Sequence, residues 1–153
     1  MSEHTALLTW QRTTSDFNYK TYDRTHSIRF SGGETIQASS APEYAGNPEL
    51  PNPEELMVGA LSSCHMLTFL AIASNKGFIV DSYTDHAVGV LGKNAEGKMA
   101  LTTVTLRPAV VFQEDKKPDA AALHQLHEKA HVNCFIANSV TTTVNVEPEE
   151  VSA

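Results

Sequence analysis

The pattern of apolar and polar positions along the first forty residues reads as strands, then gives way to a helical pattern and returns to strands. Ala6–Gln11 reads as one strand and Ser27–Phe30 as another, leading into a turn at Gly32-Gly33. Glu34–Ser39 alternates as a half-buried strand does. Ser40–Pro53 carries Pro42, Gly46, Pro48, Pro51 and Pro53, so it sustains neither helix nor ladder and is expected to be a loop. It is long for a compact domain, which favours a functional role.

The next segment marks its own start. Asn52 suits an N-cap, Pro53 the first helical position, and Glu54 and Glu55 the positive end of the macrodipole. Gly77 after Lys76 is a stop. The prediction is a helix over Pro53–Lys76, roughly 36 Å long at 1.5 Å per residue. Leu56 to Asn75 contains no Asp, Glu, Lys or Arg, and that length approaches a membrane span. Ser62, Ser63, His65, Thr68 and Ser74 interrupt it, which favours a buried central helix and no membrane. Its apolar residues run most of the way round, more than one small monomer covers, so a second copy is expected.

Val80–Leu91 and Met99–Phe112 read as a hairpin of long strands joined by GKNAEGK. Asp119–His131 is an amphipathic helix with Leu123, Leu126, Ala130 and His131 near one face, and with His124 and His127 on a solvated one. Asn133 is placed to cap a short helix starting at Cys134, and Val140–Val146 closes the chain as a strand. The order predicts one α+β domain over 1–153 with mainly antiparallel sheet.

Composition then narrows the function. The chain has 153 residues, 41% hydrophobic and 19% charged, with a net charge of −7. A negative balance argues against nucleic acid and against anionic membranes. The N-terminus lacks a basic stretch followed by an apolar one, so a cytoplasmic setting is expected. In a reducing compartment the two cysteines, Cys64 and Cys134, are too few and too exposed to reductants to form a structural framework.

Each cysteine has a bland reading as a small buried hydrophobe. Cys64, however, sits among Ser62, Ser63 and His65 in an otherwise oily helix. To react near neutral pH it needs a positive partner, and arginine is the side chain that stays charged when buried. Glu54 lies on the same helical face about 15 Å away and could orient such an arginine, or simply favour the helix N-terminus. Cys134 at a helix start would have its thiolate stabilised. A zinc site built from Cys64, His65, His131 and Cys134 is disfavoured, because adjacent Cys64 and His65 point about 100° apart.

The run Asn52-Pro53-Glu54-Glu55-Leu56, with Cys64 ten positions after Glu54, resembles the OsmC/Ohr family of thiol peroxidases. So does the later Cys134, followed by Asn138 and Ser139. The likeness runs over essentially the whole chain. Phe135 stands where the peroxidase branches often have proline, and His65 beside Cys64 is another departure. The resemblance implies an OsmC-like fold with antiparallel sheets around a long central helix, in an intertwined homodimer. It implies a cysteine peroxidase reducing organic or fatty-acid hydroperoxides without metal or other cofactor. Cys64 would be the peroxidatic nucleophile and Cys134 the resolving thiol, restored by an external dithiol, with a lipoyl-type dithiol one candidate. Glu54 would anchor the activating arginine; Arg24 has the placement, ahead of Arg29 and Arg12. The Ser40–Pro53 loop, Tyr44 included, would wall the substrate site. Two other readings compete: a non-enzymatic ligand-binding or thiol-sensing member, and a Cys–His hydrolase or metal site.

Overall fold

A computed structural model describes residues 1–149. The chain divides into two compact units, Met1–Leu56 and the remainder from Met57 onward. The elements are mixed α and β with mainly antiparallel sheet, as expected.

The first unit is a three-stranded antiparallel sheet of β1 (Ala6–Thr9), β2 (His26–Phe30) and β3 (Thr35–Ala38), in that spatial order. Gly33 turns β2 into β3 at φ 92°, a conformation open to glycine at little cost. The proline-rich segment is a loop holding one 3₁₀ turn at Pro42–Tyr44. Ser39 ties it together, its N–H on the Pro51 carbonyl and its hydroxyl accepting from the Asn47 N–H.

Helix α1 (Pro53–Asn75) starts where the sequence indicates. The Asn52 Oδ1 accepts from the Glu55 N–H at 2.9 Å, and the Glu55 carboxylate accepts from the Asn52 N–H at 3.0 Å. This reciprocal capping box satisfies two donors that the first turn leaves unpaired. Gly77, at φ 81°, ends the helix. By length and composition α1 is the one helix among the described residues that could cross a membrane. Among the described residues its fully buried positions form one stripe, Leu61, His65, Phe69 and Ala73, spaced four residues apart.

The second unit packs that stripe in two clusters. Phe69 and Ala73 meet Leu126 and Ala130 of α2 (Ala120–Val132). Leu61 meets Val104 and Leu106. The predicted long hairpin is present but broken. Its halves are β4 (Val80–Asp85) with β7 (Pro108–Phe112), and β5 (Val88–Lys93) with β6 (Met99–Leu106). The break has a local cause. Pro108 has no N–H to give the ladder, and the Asp85 carboxylate accepts from the Arg107 N–H and from the Ser62 hydroxyl of α1 instead. β8 (Thr143–Val146) closes the chain, but runs parallel to β6 rather than antiparallel.

Candidate redox site

Cys64 is half-buried in the middle of α1, one step round the helix from the buried stripe that takes His65 into the core. Cys134 follows α2 and is 1% exposed. Both are free thiols. The two are neighbours: the Cys64 side chain is close enough to raise the pKa of the Cys134 thiol. Folding of the second unit thus brings together the sequence-remote pair singled out above.

The local setting of Cys134 corrects the expectation of a new helix. Asn133 is the C-cap of α2, its N–H on the His131 and Lys129 carbonyls and its side-chain amide on Lys129. Cys134 then enters a turn that ends in a 3₁₀ segment, Ala137–Ser139. The N–H groups of Ile136 and Ala137 do point at the sulfur and favour its thiolate. Burial, followed by the Cys64 neighbour, outweighs them and pushes the Cys134 pKa up to about 11. A desolvated sulfur beside a second sulfur loses more than two amide dipoles return. Cys134 is therefore a thiol, not a thiolate, near neutral pH.

Arg24 belongs to the first unit and is 9% exposed. Its guanidinium donates to the Tyr22 carbonyl at 2.9 Å and to the Tyr19 carbonyl, and lies 4.0 Å and 5.0 Å from the ring centres of Tyr22 and Tyr19. Among the described residues no ion pair joins it to Glu54, and backbone carbonyls and aromatic faces surround the guanidinium. The residue that works at the helix start is Glu55. Of the runner-up arginines, Arg12 donates to the carbonyls of Thr14 and Ser15, and Arg29 sits on β2 opposite Leu7 and Thr35.

Beside Arg24 the first unit opens a cavity of about 460 Å³, lined by Leu8, Trp10, Phe17, Tyr22 and, from the loop, Tyr44 and Pro53. The loop residue expected to wall a substrate site does line a cavity.

One buried polar group, His127, was not expected in the core. His127 is not on a solvated face. It is 4% exposed and its Nδ1 stands 3.2 Å from Nε2 of the fully buried His65. The rings lie parallel, and His127 also packs against Phe69 at 4.5 Å. Burial foremost, then neighbouring histidines, lowers both pKa values to about 4. Only one proton can lie between the two nitrogens, so the pair is neutral with linked tautomers. The signal was present: His127 is four residues past Leu123 and shares its face. His65 Nδ1, His127 Nε2, His131 Nδ1 and the Tyr83 hydroxyl are buried without hydrogen-bond partners among the described residues. Among the described residues no three His, Cys, Asp or Glu side chains are gathered to hold a metal ion.

A helix-borne cysteine thus has a buried second cysteine as its neighbour. The family model for OsmC-like protein matches residues 46–149, and the chain belongs to that family. An OsmC-like protein of unknown function from Vibrio cholerae is 49% identical, with a TM-score of 0.93 over 97% of this chain and 100% of that one. An uncharacterized protein of Bacillus subtilis, YmaD, is 28% identical over 119 residues, 76% of this chain and 79% of its own length. An organic hydroperoxide resistance protein from Elizabethkingia anophelis shares the fold at a TM-score of 0.73, with 17% identity over 100% of this chain and 98% of its own.

Proposed function

We propose that this protein reduces organic hydroperoxides to alcohols, with Cys64 as nucleophile and Cys134 as resolving thiol. The proximity of these two thiols is the observation that carries the reading. The Cys64 thiolate attacks the terminal peroxide oxygen, the O–O bond breaks, and the departing alkoxide takes a proton to leave as alcohol. Cys64 is then a sulfenic acid. The Cys134 sulfur attacks it, the new S–S bond forms, and the sulfenic oxygen leaves as water with the Cys134 proton. An external dithiol, for which a lipoyl-type carrier is the candidate, exchanges with the disulfide and is itself oxidised.

The protonated state of Cys134 supports this division of labour, since a thiol held near pKa 11 waits for an activated partner rather than attacking a peroxide. The family resemblance assigns Arg24 to keep Cys64 ionised and to stabilise charge on the departing oxygen, and gives Glu54 the role of orienting that arginine. The carbonyls of Tyr19 and Tyr22 already hold the guanidinium. The Elizabethkingia relative's designation as a hydroperoxide resistance protein points the same way.

The working form is proposed to be a cytoplasmic homodimer. Support comes from exposed apolar side chains on α1 and the second unit's strands, Leu67 at 60% and Val90 at 53% among them. Turnover of an alkyl hydroperoxide with a dithiol tests the reading. Cys64→Ser should abolish turnover, and Cys134→Ser should leave a single turnover followed by over-oxidation of Cys64. Full activity in Cys64→Ser would overturn it.

A further inference from the structure

We propose that the cavity of the first unit is an aryl-selective site, taking a ligand with a flat aromatic body and an oxygen acceptor at one end. The substrate it selects, an aryl rather than a linear hydroperoxide, rests on the peroxidase reading; the binding itself does not. The cavity, at about 460 Å³, lies within the range of small-molecule sites. Its walls are not simply greasy. Trp10 packs on Phe17 with ring centres 5.8 Å apart and meets Tyr22 edge-on at 6.1 Å, while Phe17 and Tyr22 stand 5.1 Å apart. Trp10 is also fixed in place, its Nε1–H donating to the Asp23 carbonyl at 2.8 Å.

A linear alkyl chain gains from such walls only the area it buries. An aromatic ring gains a further ring-on-ring interaction, roughly two- to tenfold in affinity for one good contact. The polar end is supplied by Arg24, which lines the same cavity and is nine-tenths buried. Its backbone partners are neutral carbonyls, so its charge is not cancelled by a carboxylate among the described residues. The fork has five N–H donors, more than those two carbonyls occupy. A hydroxyl or hydroperoxide oxygen can therefore accept from it while the ring lies along the aromatic wall.

The chain provides its own reporter, because Trp10 is its only tryptophan. The full chain is titrated with 2-phenyl-2-propanol, an unreactive aryl alcohol, and with a linear primary alcohol of the same carbon count. Trp10 emission and calorimetric heat are both followed. The expected result is a Kd for the aryl alcohol lower by about two- to tenfold, with the preference lost in Phe17→Leu. Circular dichroism of that variant checks that the sheet survives. Equal affinities, no binding of either alcohol by both methods, or an undiminished preference in Phe17→Leu would overturn the proposal. Selective binding without hydroperoxide turnover would sink the peroxidase chemistry and leave the aryl site standing.

Discussion

Cys134 and the His65–His127 pair are opposite cases of the same physics, since burial raises an acid that would become an anion and lowers a base that would become a cation. For Cys134 the neutral thiol is retained well past neutrality. In the folded protein it should alkylate more slowly with iodoacetamide than in the unfolded chain until the pH nears 11. Mass mapping of the modified cysteine reads this, and equal rates at pH 8 would contradict it. For the histidines the folded pKa, about 4, lies below the ordinary 6.5. The unfolded chain thus binds more protons between those values. Stability is whole above pH 6.5 and falls as the pH drops toward 4, by at most about 3 kcal/mol per histidine. Urea midpoints across that window should decline, and a His65→Phe, His127→Phe double variant should flatten the decline. An unchanged slope would remove the pair as its cause. Cys64 stood out by its polar neighbours in an apolar helix, whereas the helix start expected at Cys134 is a turn after α2. His127 was misread because a histidine's hydrophobicity says little, although its place on the face of Leu123 pointed inward.

At the scale of elements, the start and stop of α1 could be read directly, since Asn52, Glu55 and Gly77 act through local backbone geometry. Asn52→Ala should cost about 1 kcal/mol in denaturant unfolding, and a change below the detection limit would show the cap to be dispensable. The break in the long hairpin was not legible. It depends on Asp85 reaching both the Arg107 N–H and Ser62, a meeting set by tertiary structure. The Ser40–Pro53 loop was recognised from its prolines, but its tightness was not. A Cβ on Gly46 would lie 1.6 Å from the Ser40 carbonyl oxygen. Gly46→Ala must therefore displace backbone, lowering stability by about 1–3 kcal/mol and shifting Tyr44 in the aromatic cavity. A wild-type urea midpoint and unaltered Trp10 emission would contradict this.

For the whole molecule, the order of elements disclosed the class because each switch from period two to helical spacing is local information. The parallel pairing of β6 with β8 was hidden, since it depends on how the chain returns after α2. A second copy was expected from a helix too apolar for one small chain to cover. One buried stripe on α1 agrees with that. Sedimentation should accordingly give twice the chain mass, shifting toward the monomer in Leu67→Glu, and a monodisperse monomer of the unaltered protein would oppose the homodimer.

The dithiol account is tested most directly by adding one equivalent of an alkyl hydroperoxide to the reduced protein and mapping its peptides without reductant. The account predicts a single cross-linked pair joining the Cys64 and Cys134 peptides, absent when either residue is serine. Two thiols that remain free after the peroxide has been consumed, or a cross-link between two copies of Cys64, would contradict it.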